Sequence, residues 1–307
     1  MEFVKDIWRP AIVAAPIHDL AKRGTIAGSA LHWFPDQGPM RYLADPFALW
    51  RDGRLHVFAE FFDYREARGR IDLCVFDDRL RFVEQRVVLQ EPWHLSYPYV
   101  FEAEGETWML PEAFQSGGLT LYRARDFPLA WEPVSRIDLA HVPLDATPVF
   151  HQGRWWLFYA PAYPERDRLT VLHAAYADQL RGPWCAHPAN PVYRAASGAR
   201  PGGTPFVRGG HLVLPIQDSS RSYGGALRFL TIAALTPERF VASIGAPFAA
   251  PADLAPFNRG LHTLSAAGAV TLLDVKRGVT SWNSLTMRPR REWQRLRARL
   301  ARQSSGL

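Results

Sequence analysis

Hydrophobic and polar positions along this chain form short runs that recur five times. In each copy a strand-like run starts beside a polar residue, usually with a proline, and a glycine-containing turn and a second apolar run follow. This order of strand, turn and strand predicts a β-hairpin. The copies lie about fifty to sixty residues apart, a period typical of propeller blades. The strand entrances are near residues 45, 97, 147, 204 and 262.

Further strand-like segments between the hairpins supply the outer strands of each unit. Residues 71–76 and 119–122 are examples. Four strands per unit and five units predict an all-β, five-bladed β-propeller within residues 1–287. The last unit is short of outer strands because the chain soon turns polar. We therefore expect residues 7–15 to complete that unit and to close the ring without an unpaired edge.

The positive charge of the chain is concentrated near its C-terminal end. Residues 288–303 contain seven arginines and one glutamate, a local charge of +6 that equals the formal net charge of all 307 residues. Trp293, Leu296 and Leu300 have helical spacing, so residues 288–307 are predicted to form a basic amphipathic helix. Such a helix can lie on an anionic membrane surface, or it can pack on the propeller with its arginines in solvent. The remaining chain has no basic excess, which argues against nucleic-acid binding.

Several classes of protein find no support in the sequence. It lacks a transmembrane-length apolar run and a signal-peptide pattern, so we expect a cytoplasmic protein, peripheral at the inner membrane face if the basic helix binds lipid. It also lacks a phosphate-binding loop, a dinucleotide-binding turn and a Gly-x-Ser-x-Gly elbow. The ten histidines are scattered, and the two cysteines, Cys74 and Cys185, are far apart and expected to be buried. We predict neither a metal site nor a cofactor.

The repeat predicts a polar site at the propeller axis. The first strand of each blade lines the axis, so residues at its entrance should converge on one funnel. A ring of carboxylates, arginine, histidine and tyrosine differs from the apolar filling of a structural core. The candidate catalytic residues are Asp45, Glu112 and Asp145, and the candidate binding residues are Arg41, Glu60, His94, Tyr97, Thr147, Arg200, Gln217, Asp218 and His262. Aromatic residues in loop-like stretches, namely Trp33, Trp93 and Tyr223, can offer flat faces to a sugar ring.

Paired carboxyl groups indicate glycosidic chemistry. One must stay protonated to assist the leaving oxygen, and the other must be ionised to activate water or attack carbon. Asp45 is the candidate for the ionised partner, and Glu112 or Asp145 for the acid. Structural alternatives remain: Asp45 and Asp145 can fix the turn before a strand, and Glu112 can form an ion pair with Arg200 or Arg41.

The chain resembles the five-bladed propellers of the arabinanase, xylosidase and invertase type. The resemblance is carried by Leu43-Ala44-Asp45-Pro46-Phe47, the segment Pro183-Trp184-Cys185-Ala186-His187-Pro188-Ala189-Asn190-Pro191-Val192 and the fivefold period. It implies that Asp45 is the base or nucleophile. The acid of that group is a glutamate near the entrance of a later blade, where this chain has Asp145. Its second-blade aspartate is replaced here by Tyr97.

Over a longer stretch, the chain resembles the propeller-like N-terminal region of glucosamine inositolphosphorylceramide transferase and its bacterial relatives. The resemblance extends over most of residues 40–230. It implies a setting in glycan or glycolipid assembly, in a family whose transfer chemistry is associated with a separate C-terminal glycosyltransferase domain. The matching segments are His94-Leu95-Ser96-Tyr97-Pro98-Tyr99-Val100-Phe101-Glu102, Met109-Leu110-Pro111-Glu112, Asp126-Phe127-Pro128-Leu129-Ala130-Trp131, Asp145-Ala146-Thr147-Pro148 and Ala199-Arg200-Pro201-Gly202-Gly203.

These features favour a carbohydrate-active enzyme of glycan or glycolipid biosynthesis, glycosyltransferase-like or glycoside-hydrolase-like, that makes or breaks a glycosidic bond. Its ligand would be a sugar, a sugar nucleotide or a lipid-linked glycan, and Arg200 and Arg41 would suit an attached phosphate. One alternative is a non-catalytic glycan or sugar-nucleotide binding module accessory to a glycosyltransferase, and another is a scaffold that gathers proteins on its rim. Carboxylates facing each other across an open funnel would favour the enzyme. Carboxylates paired with arginines would favour binding or structure.

Overall fold

The computed structural model describes residues 4–280, so the predicted basic helix at residues 288–307 lies outside the described residues. The described chain folds into five antiparallel sheets, and the prediction of an all-β, five-bladed β-propeller is confirmed. Between residues 4 and 280, no helix has both the length and the apolar character needed to span a bilayer.

The strands follow one another blade by blade. The chain starts with β1 (Val4–Val13), α1 (Ile17–Arg23) and β2 (Leu31–Trp33). The first blade contains β3 (Arg41–Arg51), β4 (Arg54–Asp63), β5 (Arg68–Phe76) and β6 (Phe82–Leu89), and the second contains β7 (Ser96–Ala103), β8 (Glu106–Glu112), β9 (Leu119–Asp126) and β10 (Ala130–Ile137). The third contains β11 (Pro143–His151), β12 (Arg154–Pro161), β13 (Val171–Ala177), β14 (Cys185–Ala186) and β15 (Tyr193–Arg194).

The last two blades differ from the first three in how they are built. The fourth contains β16 (Phe206–Arg208), β17 (His211–Asp218), β18 (Ala226–Leu235) and β19 (Phe240–Ile244). The fifth combines β20 (Leu261–Ala267) and β21 (Val270–Thr280) with β1 and β2 from the other end of the chain, in the order β2-β1-β21-β20. Short 3₁₀ helices span Phe114–Ser116, Glu165–Asp167 and Ala252–Leu254.

The hairpin turns explain why the first two strands of four blades pair tightly. Asp52-Gly53, Glu104-Gly105, Gln152-Gly153 and Gly209-Gly210 each have two successive residues with positive φ, between 51° and 80°. Two successive positive φ angles match the twist of the flanking strands, and glycine adopts the second without steric cost. The polar-glycine dipeptides in the sequence therefore set the strand register.

Five apolar clusters fill the interfaces between neighbouring blades. Trp108 of β8 and Leu157 of β12, for example, lie in the cluster between the second and third blades, and both are fully buried. Another of the five clusters joins Ile12 of β1 and Leu272 of β21 to the first blade. Burial of one such aliphatic side chain stabilises the fold by about 1.5–3 kcal/mol. Because every interface is filled, the five blades share one continuous core.

The fifth blade connects the two ends of the described chain. β1 pairs antiparallel with β21 along its whole length, from Val4 opposite Thr280 to Val13 opposite Thr271. The closing strand thus starts three residues earlier than the stretch 7–15 suggested by the sequence and ends at Val13. One expectation is wrong: Cys74 is buried, but Cys185 is exposed, because it lies on the short outermost strand β14.

Candidate functional site

A β-bulge interrupts the inner strand of four blades where that strand meets the propeller axis. The strand register shifts between Ala44 and Phe47, Ser96 and Tyr99, Leu144 and Thr147, and Leu261 and Leu264. In the first three blades the bulge holds Asp45, Tyr97 and Asp145 at φ values of 50°, 44° and 47°. A bulge re-aims a side chain, and here it positions three polar residues from different blades. In the third blade, therefore, Asp145 is the position equivalent to Asp45. The prediction that Thr147 marks this strand entrance is two residues too late.

Asp45 is a buried carboxylate held by neutral donors. The Thr263 hydroxyl donates to its Oδ1 at 2.6 Å, and the Tyr97 backbone N–H donates to its Oδ2 at 3.3 Å. Only 6 % of the residue is exposed. Burial raises the pKa of Asp45 to about 6, against the lowering effect of His262 nearby. The group is thus mostly ionised near neutral pH but lies within reach of protonation.

His262 links Asp45 to a second aspartate. Its Nδ1 lies 2.7 Å from Asp274 Oδ1, and its Nε2 lies 3.6 Å from Asp45 Oδ1. Asp274 also accepts backbone N–H bonds from Asp45 at 2.8 Å and Thr263 at 2.9 Å, and Trp8 stacks on the imidazole with ring centroids 3.7 Å apart. Burial lowers the pKa of His262, but the two aspartates outweigh it, so the pKa lies above its ordinary value. A protonated imidazole between two carboxylates is the favoured state.

Arg200 joins two other carboxyl groups on the far side of the axis. Its Nη2 donates to Asp145 Oδ1 and to Glu112 Oε2, each at 2.8 Å, and its Nε donates to Asp145 Oδ2. Gln217 Nε2 also donates to Asp145 Oδ2 at 2.8 Å. Asp145 and Glu112 are 2 % and 3 % exposed, so this ion pair is buried. Two carboxyl groups that share one guanidinium carry a formal excess of negative charge.

Glu112 retains its proton near neutral pH. Burial raises its pKa to about 8, the negative charges of Asp145 and Asp45 add to the rise, and Arg200 opposes it. A proton on Glu112 also removes the excess charge around Arg200. The axis therefore holds one carboxyl group that is mostly ionised and another that is mostly protonated, which is the division of roles expected of an acid and base pair.

Glu60 and His94 form a third contact beside these groups. His94 Nε2 lies 3.6 Å from Glu60 Oε1, and the Gly69 backbone N–H donates to His94 Nδ1 at 2.8 Å. Burial raises the pKa of Glu60 well above its ordinary value, and the charges of Asp45 and other carboxylates increase the rise. Burial also lowers the pKa of His94 to about 4. The imidazole of His94 is thus neutral near neutral pH.

Tyr97 forms a fixed connection across the axis. Its hydroxyl lies 2.9 Å from Thr147 Oγ1 and accepts the Gly203 backbone N–H at 2.8 Å. Gly203 has φ of 141°, and a Cβ atom there would lie 1.9 Å from Leu264 O, so only glycine fits. Burial raises the pKa of Tyr97 well above its ordinary value, which keeps the phenol protonated. These contacts give Tyr97 and Thr147 a positioning role in the axial cluster.

Two predicted residues have partners outside this cluster. Arg41 Nε lies 3.3 Å from Asp63 Oδ2. Asp218 accepts from Ser220 Oγ at 2.6 Å and from Arg228 Nε at 2.7 Å. Asp218 follows Gln217 on β17, and successive side chains of a strand point to opposite faces. Only Gln217 can therefore face Asp145.

Sequence reasoning missed part of the site. Asp274 interrupts the apolar run Leu272-Leu273-Asp274-Val275, and a carboxylate in such a run was the available signal. Thr263 lies in the same bulge as His262, at the strand entrance that matches the repeat most weakly. Trp8 had no local signal, since it reaches the axis only through closure of the ring by β1.

Tyr223 is the aromatic residue from a loop that approaches this cluster. Its ring meets the His262 ring edge to face at 5.7 Å and the Trp8 ring at 6.5 Å. The residue is 41 % exposed, so one part of its side chain meets solvent while its ring packs on the cluster. Its ring therefore lies at the edge of the cluster, against His262 and Trp8.

One set of side chains has the chemistry of cation ligands. Within residues 4–280, Asp45, His262 and Asp274 offer ligand atoms that all lie within 4.8 Å of one another. Asp274 Oδ1, however, already accepts the imidazole and backbone N–H donors of His262 and Thr263. A cation there would have to displace the His262 Nδ1 proton. These hydrogen bonds fit a carboxylate that orients an imidazole, and the expectation of no metal and no cofactor stays a prediction.

Comparison with known proteins identifies the family. Residues 30–252 match the family model described as glucosamine inositolphosphorylceramide transferase 1, N-terminal. The chain belongs to this family. It is 31 % identical over 257 residues to glucosamine inositolphosphorylceramide transferase 1 of Oryza sativa subsp. indica, which covers 82 % of this chain and 31 % of that protein. The namesake from Arabidopsis thaliana is 33 % identical over 209 residues, 66 % of this chain and 27 % of the relative. The chain thus spans about a third of these relatives, and the predicted resemblance is confirmed.

Solved structures show the same fold at low sequence identity. A family 117 glycoside hydrolase from Zobellia galactanivorans has a TM-score of 0.55 at 17 % identity and covers 81 % of this chain and 89 % of its own. The catalytic domain of the Coprinopsis cinerea family 62 α-L-arabinofuranosidase has a TM-score of 0.56 at 12 %, over 80 % and 95 %. A β-1,2-mannobiose phosphorylase from Listeria innocua has 0.56 at 9 %, over 79 % and 92 %. The propeller is therefore shared with carbohydrate-active enzymes, and these likenesses concern the fold alone.

Proposed function

We propose that the axial cluster binds a carbohydrate and makes or breaks a glycosidic bond. The observation that carries the proposal is a pair of buried carboxyl groups in one cluster, Asp45 held by the Thr263 hydroxyl and a backbone N–H, and Glu112 held by Arg200. They come from adjacent blades, and burial raises the pKa of Asp45 to about 6 and that of Glu112 to about 8, so that Glu112 holds its proton more tightly. Enzymes of glycosidic chemistry use one ionised and one protonated carboxyl group.

In the proposed mechanism, Asp45 activates the attacking hydroxyl or attacks the anomeric carbon itself. Glu112 donates its proton to the leaving oxygen, so that no free alkoxide forms. His262, fixed by Asp274 and by the Trp8 ring, holds Asp45 in position and lowers its pKa. Arg200 keeps Glu112 in place by bonding both it and Asp145.

An unpartnered acceptor offers a specific contact for the sugar. Gln217 Oε1 is buried and has no hydrogen-bond partner among residues 4–280. Its amide nitrogen is bonded to Asp145, so the oxygen stays close to that carboxylate. A buried acceptor without a partner is costly, and a sugar hydroxyl would satisfy it. An unpartnered acceptor beside Asp145 would suit a polyhydroxylated ligand.

The family membership supports a role in glycan or glycolipid assembly. The curated relatives are named glucosamine inositolphosphorylceramide transferase 1. The ligand we propose for this chain is a sugar, a sugar nucleotide or a lipid-linked glycan. Biosynthetic use of such a ligand would suit a cytoplasmic protein at the inner membrane face.

A non-catalytic glycan or sugar-nucleotide binding module is the second candidate. The observation that favours it is the set of hydrogen bonds by which Arg200 fixes both Asp145 and Glu112. Carboxyl groups fixed in this way can orient hydroxyl groups of a ligand without transferring a proton. Such a module would act beside a separate glycosyltransferase domain.

Kinetics on matched variants distinguish the two candidates. The wild-type chain is incubated with a panel of sugar nucleotides and aryl glycosides, and ligand affinity is measured in parallel by calorimetry. For the enzyme we expect turnover that Asp45→Asn and Glu112→Gln each reduce by about a hundredfold or more, with affinity retained. Asp218→Asn, a carboxylate bonded to Arg228 outside the cluster, is the control and should keep full turnover. If a ligand binds at the axis but is not turned over, the binding module is the candidate that remains.

A further inference from the structure

A cleft of about 450 Å³ opens beside the axial cluster, where β1 and β21 meet the loop after β17. We call it the mouth cleft and define it by the side chains that carry its chemistry: Lys5, Asp6, Arg221, Tyr223, Arg259 and Lys276. Four of these six are cationic and one is anionic. The cleft thus has a local formal charge of +3 in a propeller whose remaining sequence has no basic excess.

One cation of the cleft is buried and already paired. Lys276 is 2 % exposed, its Nζ lies 2.8 Å from Asp6 Oδ2, and it also donates to the backbone oxygen of Tyr223. Its ammonium group lies 5.2 Å from the centre of the Trp8 ring. These contacts neutralise Asp6 and fix the floor of the cleft.

The other three cations have no carboxylate partner in the described part of the chain. Within residues 4–280, no Asp or Glu oxygen lies within 4.0 Å of the charged groups of Lys5, Arg221 or Arg259. Many other arginines of the propeller, such as Arg70 and Arg228, do have such partners. Three cations facing one cleft repel one another, and an anion between them would relieve this repulsion.

The mouth cleft shares a wall with the axial cluster. Tyr223 lines the cleft, and its ring lies 5.7 Å from the ring of His262, whose Nε2 is 3.6 Å from Asp45. Trp8 likewise lies under Lys276 and stacks on His262. A ligand with an anionic group in the cleft could therefore place a neighbouring sugar ring against Tyr223, facing Asp45.

We propose that the mouth cleft binds a phosphoryl group, carried by a sugar phosphate or by a phosphorylated lipid headgroup. Arginine matches phosphate oxygens with a planar fork of donors, and lysine adds a point charge. The two arginines that the sequence suggested for this purpose have other partners: Arg200 is bonded to Asp145 and Glu112, and Arg41 lies 3.3 Å from Asp63. The link between the phosphoryl group and a sugar at Asp45 rests on the proposed function, whereas phosphate binding in the cleft does not.

The test compares two double variants of the full chain that lose the same charge. Arg221→Gln with Arg259→Gln removes two cations of the cleft. Arg54→Gln with Arg208→Gln removes two exposed arginines beside the hairpin turns of the first and fourth blades. Binding of inorganic phosphate and of glucose 1-phosphate is measured by calorimetry. Flotation with phosphatidylcholine vesicles, with and without phosphatidic acid, measures the lipid-borne group.

We expect the cleft variant to bind at least one phosphate-bearing probe about tenfold more weakly than wild type, and the control variant to bind it normally. Loss with soluble probes assigns a sugar phosphate, and loss confined to vesicles assigns a lipid headgroup. Equal binding by both variants, equal loss in both, or no binding to any probe overturns the proposal. Asp45→Asn should retain phosphate affinity, so failure of glycosidic chemistry at Asp45 would be distinguishable from failure of the cleft.

Discussion

The two sides of the propeller axis hold carboxyl groups in different ways. On one side, Asp45 is bonded by the Thr263 hydroxyl and by a backbone N–H, with an imidazole 3.6 Å away. On the other, Asp145 and Glu112 share the guanidinium of Arg200. An imidazole can lose its charge in the physiological pH range, whereas a guanidinium cannot. The same strand bulge thus places Asp45 beside an imidazole that can lose its charge and Asp145 beside a guanidinium that cannot.

This difference suggests a division of labour between the two sides. The Arg200 side is a buried ion-pair network whose loss should affect stability first. The Asp45 side is held by neutral donors and an imidazole, so substitutions there should change the protonation of Asp45 more than the stability of the fold. The following predictions test that division.

Arg200→Met should produce the largest change in stability. It leaves Asp145 and Glu112 buried without their cation, and removal of one partner from a buried ion pair costs about 3–5 kcal/mol. The measurement is the free energy of urea unfolding. Adding Asp145→Asn and Glu112→Gln should restore part of the loss. As a control, Arg228→Met breaks a more exposed pair with Asp218 and should cost about 1 kcal/mol or less; a similar cost for both variants would contradict the division.

The pH dependence of stability should report Glu112 next. Its folded-state pKa, about 8, lies above the ordinary 4.5. The folded state therefore binds the proton more tightly, so this group contributes stability that is complete below about pH 4.5 and is lost as pH rises towards 8. The slope in that window is up to about 1.4 kcal/mol per pH unit.

Urea unfolding of wild type and Glu112→Gln across this pH range checks the sign. The variant has no proton to lose at residue 112, so its stability should fall less between pH 5 and 8. Asp45, whose pKa is about 6, makes a smaller contribution in the same direction and is present in both proteins. Parallel pH curves for the two proteins would show that Glu112 is ionised throughout.

His262→Gln should shift the protonation of Asp45. The charged imidazole lowers the pKa of Asp45, so its removal should raise that pKa above about 6, by about one pH unit. A carboxyl-carbon NMR titration of Asp45 measures this change without requiring turnover. His94→Gln replaces a neutral imidazole, since burial lowers its pKa to about 4, and should leave Asp45 unchanged. An equal shift in both variants would mean that packing, rather than charge, acts on Asp45.

Thr263→Val should have the smallest effect. It removes the hydroxyl that donates to Asp45 Oδ1 at 2.6 Å but preserves the shape of the side chain, which predicts a loss of about 1–2 kcal/mol. Thr120→Val, at a half-buried position of β9, is the control. If Thr263→Val lowers the free energy of unfolding as much as Arg200→Met does, the Asp45 side contributes as much to stability as the Arg200 side, and the division is wrong.

The sequence repeat was sufficient to predict the propeller and much of the axial cluster. Asp45, Glu112, Arg200 and His262 were found because equivalent positions of successive blades converge on one axis. The third blade was misaligned because proline marked the repeat in the sequence, whereas the bulge that aims the side chain is at Asp145. Pattern alone cannot distinguish these two markers.

Other parts of the site depend on contacts between distant segments. Trp8 and Lys276 meet only when β1 pairs with β21, so neither was recognisable from its neighbours in the sequence. Asp218 was included because it adjoins Gln217, yet strand alternation gives it Arg228 as a partner. The cations of the mouth cleft without a carboxylate partner come from three separate segments, so no local pattern in the sequence marks them as a group.

A crystal structure after soaking with a mixed panel of sugar nucleotides and glycosides tests the proposed site most directly. We predict ligand density at the axis, with a sugar ring between Asp45 and Glu112 and a hydroxyl donating to Gln217 Oε1. A ligand that binds in solution but occupies another surface, leaving these three side chains untouched, would contradict carbohydrate chemistry at the axis.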